Sequence, residues 1–400
     1  MPGPPVNARD FVIRLLVNSR PDAQLRNEQP SISELVSEST IDWVQVWHIV
    51  EKERVAPLLY HPARDASHIP AWWRERCRAA YHETGILNTL RLEELKTLLA
   101  GFRAAGLEVI VLKGAALIEL VYGNPAVRPM VDLDLLVRRQ DVEPAMSFLN
   151  SRHYRSSTNE VAPGSMLAYD NEVHFQKQGP AGWQIELHWN LFDSPYYQRH
   201  LSESEWWRTA DEVSFDGELA RSLSPEWMLI HLCGHLAFHH RGQGLLWWND
   251  LAELIRKRGD RLDWEYVLAQ AKRANIILPL QRIIPALAHT WRAPVPPDVI
   301  GRLQVIVPDA VEIELNQAFT GDHWSPGSRL LVDVKGMGSP RERAWFLLHN
   351  IFPSVAYMDA RYGIGHPLTR PFYYVYRWYL GVSGIVRDLL RRGNNGSNPS

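Results

Sequence analysis

Two aspartates one residue apart, Asp132-Leu133-Asp134, interrupt the otherwise apolar run Val131 to Val137. The alternation and Val/Leu content predict a short, mostly buried strand. Residues i and i+2 of a strand share a face, so both carboxylates project together. Burying two like charges is costly unless a cation pairs with them. A divalent metal meets that need. Hard oxygen donors suit Mg²⁺, which completes its shell with water and substrate phosphate oxygens. Paired carboxylates of this kind serve two-metal phosphoryl-transfer chemistry. The same tripeptide at a strand end also caps loops or meets a surface arginine, so its neighbours must discriminate.

Upstream, Glu108 to Leu112 reads as a buried strand that ends at Lys113-Gly114, and Ala115 to Val121 reads as the first turns of a helix. A strand, a glycine and a helix N-terminus make a phosphate cradle, in which Lys113 adds a point charge. The alternative is a corner whose glycine only makes the bend. Arg128 follows a loop marked by Gly123-Asn124-Pro125. It could grip a nucleotide phosphate bidentately or form a structural ion pair.

Downstream, Asn171 to Lys177 and Trp183 to Trp189 both alternate, and Gly179-Pro180-Ala181-Gly182 reads as the hairpin connection. Gln184, Glu186 and His188 share one face of the second strand. If that face borders the Asp132 strand, Glu186 becomes a third carboxylate that ligates an ion or helps deprotonate an attacking hydroxyl. The competing reading is the solvated face of an antiparallel sheet.

In order, Leu112-Lys113-Gly114, Arg128, Asp132-Leu133-Asp134-Leu135-Leu136-Val137 and Ile185-Glu186-Leu187-His188-Trp189 resemble the poorly characterised bacterial nucleotidyltransferases of the DNA polymerase β-like superfamily. Ser224 to His235 and Leu246-Trp247-Trp248-Asn249-Asp250-Leu251 also look like that family, and the resemblance covers roughly residues 75 to 260. It implies an α+β fold, a small mixed nucleotidyltransferase sheet flanked by helices. It also implies Mg²⁺-dependent transfer of an NMP from an NTP, ATP being the first choice, to a hydroxyl of an unidentified protein, RNA or small molecule, with release of pyrophosphate. The implied metal and catalytic residues are Asp132, Asp134 and Glu186. Lys113, Gly114, Arg128, His188, His235 and Asp250 would bind nucleotide or wall the cleft. The superfamily at large favours Gly-Ser at the phosphate turn, and Lys113-Gly114-Ala115 matches the resembling subgroup instead. Such a fold also occurs in catalytically silent nucleotide-binding or partner-binding proteins.

The 400 residues are 46% hydrophobic and 22% charged, enough for a large core in two or three units. A net charge of −2 gives no global basic field for a duplex nucleic-acid partner. The two cysteines, Cys77 and Cys233, form neither a metal-spaced pair nor a disulfide framework, which suits a reducing cytoplasm. Met1-Pro2-Gly3-Pro4-Pro5 shows no signal peptide, and no apolar stretch predicts a membrane span.

Residues 1–100 read as an N-terminal helical region, with Ser39 or Thr40 capping a helix and a long helix from about Pro70 to Ala105. Residues 101–215 read as the α/β core, with a helix over Asp141 to Asn150. Residues 216–392 read as a C-terminal helical region with helices near 224–239, 245–258, 263–274, 277–290, 341–351 and 369–391. Residues 393–400 read as a disordered tail. His231, His235 and His239 fall on one helix face, a spacing that could bind zinc for a hydrolase, although Leu232 stands where a zinc protease needs glutamate. The alternatives are cleft wall and ordinary helix packing. The aromatic segment Phe372 to Tyr379 could be a membrane-surface or partner-binding element, and docking on the body of the protein is the expected use.

Overall fold

A computed structural model describes residues 7–18, 41–156, 160–162, 164–179, 182–320 and 325–395. The expected signal-free N-terminus, the caps at Ser39 and Thr40, Pro180-Ala181 of the hairpin and residues 396–400 of the tail lie outside these. Helices α1 (Ala8–Asn18), α2 (Trp43–Lys52) and the 34-residue α3 (Ala71–Ala104) come first. Asp42 caps α2 by accepting from the Val44 and Gln45 amides.

The fold is α+β. A seven-stranded mixed sheet comprises β1 (Ile110–Val111), β2 (Leu133–Leu136), β3 (Arg155–Ser156), β4 (Glu172–Lys177), β5 (Trp183–His188), β6 (Asp211–Phe215) and β7 (Glu218–Ser222), in spatial order β3-β4-β5-β2-β1-β7-β6. The central strand β2 runs parallel to β5 and antiparallel to β1. The seventh strand lies beyond residue 215, where the sequence pattern closes the core. It pairs with β1 through backbone hydrogen bonds that side-chain periodicity does not reveal.

Helices α4 (Lys113–Leu117) and α5 (Val142–Ser151) belong to the sheet region. The C-terminal part contributes α6 (Pro225–Phe238), α7 (Leu245–Arg258), α8 (Pro326–Gly336), α9 (Pro340–Ile351), α10 (Val355–Tyr362) and α11 (Arg370–Asn395), with four further helices between Trp264 and Thr320. Helix α11 extends through Asn395, so residues 393–395 of the expected tail are helical; propagation past a formed turn adds one hydrogen bond per residue fixed. No described helix is long and apolar enough to cross a membrane.

Helix α3 passes behind the site loop. Leu95, Leu98, Leu99 and Phe102 are buried in its C-terminal half, whereas Thr84, Asn88 and Arg91 fill the buried positions nearer its middle. Asn88 donates to the Pro125 carbonyl at 2.7 Å and the Arg128 carbonyl at 2.8 Å, fixing the loop that leads into β2. Trp73, Trp206 and Trp207 are core residues, and burial of such rings contributes strongly to core stability.

Candidate functional site

Strand register assembles the acids. Asp134 on β2 lies directly beside Glu186 on β5, and Glu186 lies opposite His174 on β4; two residues along, His188 faces Glu172. Leu112 closes the row by donating its amide to the Asp134 carbonyl at 2.9 Å. The next residue, Lys113, adopts a left-handed backbone with φ of +42°. That conformation costs a non-glycine residue on the order of 1–2 kcal/mol and persists where surrounding contacts over-determine it. The contacts here are ionic: Lys113 Nζ lies 2.7 Å from Asp134 Oδ1 and 3.1 Å from Glu186 Oε2.

His188 completes the cluster, with Nε2 3.2 Å from Asp134 Oδ1 and Nδ1 in ion contact with Glu172 Oε2 at 3.0 Å. Burial opposes the charged forms of Lys113 and His188, but the surrounding carboxylates outweigh it and hold both pKa values up. Burial likewise pushes the Glu172 and Glu186 carboxyls up, yet His188 and Lys113 hold both well below the usual range. Asp132, one residue before β2, has no such direct pairing among the described residues. Burial, then Asp134 and Glu186, push it up to about 6.

Four carboxylates therefore share a site with two buried cations. The surplus negative charge and the oxygen donors of Asp132, Asp134 and Glu186 fit a hard divalent ion. Among the described residues, the side-chain groups that converge as metal ligands are Asp134–Glu186–His188 and Glu172–His174–Glu186. Neither includes a histidine of α6.

The charge imbalance has a consequence for stability. Asp132 is protonated more readily folded than unfolded, because its folded pKa near 6 exceeds its ordinary 3.8. Its contribution is therefore fully present below pH 4 and is lost as pH rises through 6. In metal-free buffer Asp132→Asn should melt higher than wild type at pH 7.5, by on the order of 1–2 kcal/mol after solvent screening. The difference should close near pH 4. Equal melting temperatures at pH 7.5 would show that Asp132 carries no such burden.

Arg128 and Asp250 occupy a different place. They pair with each other in the interior, Nη2 to Oδ2 at 2.8 Å and Nε to Oδ1 at 3.3 Å. Tyr122 donates to Asp250 Oδ1 at 2.7 Å, and Asn249 donates to the Tyr122 hydroxyl at 3.0 Å. This network sits against Gly114, where an added Cβ would lie 2.6 Å from Arg128 Nη1 and 3.0 Å from Met130 Cβ. Gly114 is thus required by the packing of Arg128. Gly114→Ala should cost about 1–3 kcal/mol by overpacking, measurable as a lower urea midpoint; an unchanged midpoint would mean that Arg128 and Met130 yield freely.

His231, His235 and His239 line one face of α6. Among the described residues neither His231 ring nitrogen has a hydrogen-bond partner, and the ring is buried. His235 Nε2 lies 3.0 Å from His240 Nε2, and His240 stacks on Trp247 with centroids 3.4 Å apart. Burial, then the nearby Lys113 charge, lower the pKa values of His231, His235 and His239, which keeps the file neutral.

Four participants escape the motifs. Glu172 and His174 stand on the same strand face, but only the β4–β5 register brings them to Glu186 and His188. Arg91 lies on α3 and Arg54 in the turn just past α2, and the charge of Asp132 acts on both.

The model of a family described as uncharacterised nucleotidyltransferase matches residues 39–292. Among solved structures, an antigenic nucleotidyltransferase-like protein from Paracoccidioides brasiliensis is similar at 17% identity and a TM-score of 0.33, covering 54% of this chain and 96% of that one. No curated protein matches.

Proposed function

Since the chain belongs to the uncharacterised nucleotidyltransferase family, we propose that it moves an NMP from an NTP, ATP first, to a hydroxyl of a protein, RNA or small-molecule acceptor. Asp134 and Glu186 at 2.7 and 3.1 Å from the Lys113 ammonium, with Asp132 within the electrostatic influence of all three, carry this reading. Asp132, Asp134 and Glu186 would hold Mg²⁺. When bound, the ion supplies Lewis-acid activation and neutralises charge on phosphate oxygens.

The protein's own groups do the rest. Lys113 balances Asp134 and Glu186 and is the ammonium nearest to take an oxygen of the triphosphate. Arg54 and Arg91, in the field of Asp132, supply further positive charge on that side. The acceptor oxygen attacks the α-phosphorus, the bond from that phosphorus to the β-phosphate bridge breaks, and pyrophosphate leaves. The acceptor's proton passes to Asp132, whose carboxyl is pushed up to about 6, whereas Lys113 and His188 hold that of Glu186 well below the usual range. Glu172 fixes the His188 ring against Asp134 and so keeps that carboxylate aimed. Arg128 and Asp250 support the turn at Gly114 from behind.

The catalytically silent alternative draws on one observation. Lys113 already stands between two of the acids, as a resident cation would. Calorimetric titration of ATP with and without Mg²⁺ tests the binding half of the proposal. Mg²⁺-dependent binding that weakens at least tenfold in Asp134→Asn is expected. Binding that is indifferent to both Mg²⁺ and the substitution would favour the silent protein.

A further inference from the structure

Helix α11 carries two apolar faces with different fates. The inner face is spent on the protein body. Tyr374 donates to the Pro353 carbonyl at 2.6 Å, and Trp378 Nε1 donates to the Ile351 carbonyl at 2.7 Å. Asp388 Oδ2 accepts from the Ser325 amide at 2.7 Å and the Ser328 hydroxyl at 2.6 Å. Backbones approach closely there, since a Cβ on Gly327 would lie 2.7 Å from the Gly381 carbonyl and one on Gly384 the same distance from Ser325 Cβ. The expected docking of this helix is therefore achieved by one face.

The outer face is open. Leu368, just before the helix, and then Phe372, Val375, Tyr379, Val382, Val386 and Leu389 follow one another at spacings of four and three residues. All seven are between 48% and 78% exposed. That is the a/d pattern of a coiled coil held for three heptads. A period of 3.5 residues stays in register only with another helix. Tyr376 and Leu390, half or more exposed, widen the stripe.

We propose that this seam pairs two copies of the chain through antiparallel α11 helices. A seam that meets its own copy about a twofold axis is self-complementary, as closed dimers require. The side chains choose the direction. The N-terminal half is aromatic, with Phe372 and Tyr379, whereas the C-terminal half is aliphatic, with Val382, Val386 and Leu389. Antiparallel pairing sets Phe372 on Leu389, Val375 on Val386 and Tyr379 on Val382, so each aromatic ring meets an aliphatic side chain and no ring meets a ring. Parallel pairing would stack ring on ring at one end and valine on valine at the other. Half-exposed aromatic rings leave roughly 100 Å² each to cover. With the aliphatic positions, two copies reach the order of 1,000 Å² that a specific interface needs. A helix lying on a membrane surface sets a cationic face opposite the apolar one, and here the opposite face is packed on the body.

Light scattering on the full chain after size exclusion tests this. Wild type at micromolar concentration should have the mass of two chains. Tyr379→Glu/Val382→Glu should have the mass of one, with an unchanged circular-dichroism spectrum. Orientation is read by oxidation, since native Cys77 and Cys233 are buried. Mixed Phe372→Cys and Leu389→Cys chains should crosslink, and Phe372→Cys alone should not. Wild type with the mass of one chain, or a seam variant that stays paired, overturns the proposal. So does binding of single wild-type chains to phosphatidylcholine/phosphatidylglycerol vesicles, which assigns the face to lipid. Self-crosslinking of Phe372→Cys overturns the antiparallel arrangement.

Discussion

Asp134→Asn should lower nucleotidyl transfer by on the order of a thousandfold or more while leaving the fold intact. Asp134 is the acid nearest the Lys113 ammonium, at 2.7 Å; it also meets His188 at 3.2 Å and sits in register with Glu186. Asparagine keeps the volume but removes one anionic oxygen. Lys113 and His188 then face one fewer negative charge, and the anionic carboxylates that suit a hard cation fall from three to two. The folded state survives because the substitution also relieves crowding among like charges. Circular dichroism and a urea melt check the fold, and turnover of labelled NTP checks the chemistry. Activity within tenfold of wild type would remove Asp134 from the machinery.

Arg128→Ala is expected to destabilise the protein by about 3–5 kcal/mol, because it leaves Asp250 charged and buried without its partner. The pair is 7% and 0% exposed in its side chains, so water cannot compensate. Arg128→Lys should recover little, since a single ammonium cannot reproduce the two-point contact through Nε and Nη2. The double variant Arg128→Ala/Asp250→Ala should lose much less than the sum of the single changes. Urea unfolding of the four proteins measures this directly. Additive losses would mean that each residue owes its stability to other partners. If Arg128 acts only by supporting the turn at Gly114, transfer per folded molecule should fall equally in Arg128→Ala and Asp250→Ala. A far larger loss for Arg128→Ala would return it to a direct contact with phosphate.

Local patterns carried much of this architecture. The leucine-rich stretch from Pro70 to Ala105 is α3, observed at Ala71–Ala104, because a long run without internal proline has few places to stop. Within it, leucine spacing misleads about burial: Leu90 is at the surface, whereas Thr84, Asn88 and Arg91 are buried. Of these, Asn88 bonds the site loop and Arg91 feels the charge of Asp132, a tertiary demand invisible to periodicity. Alternation and the strand-turn-helix pattern predict the Asp132 strand, the Glu186 strand and the Lys113 turn as separate elements, and the β2–β5 pairing supplies the adjacency on which the third acid is conditional. Glu172 and His174 carry no such signal. Their placement depends on which residue of β4 lies opposite Glu186, and a one-residue slip exchanges the two faces of a strand. Arg128 was visible as an arginine entering an acidic strand, but its partner lies 122 residues further along the chain. Arg54 sits at the end of α2, in a left-handed backbone with φ of +59°, and no motif announces it.

The central claim is that these acids move the nucleotidyl part of an NTP. It is tested most directly by incubating wild type and Asp134→Asn with Mg²⁺ and ATP labelled either at the α- or at the γ-phosphate, in the presence of a cell extract. Nucleotidyl transfer requires that α-label, and not γ-label, become attached to a macromolecule or small acceptor, and only with wild type. Transfer of γ-label, or equal α-labelling by the Asp134→Asn protein, would contradict it.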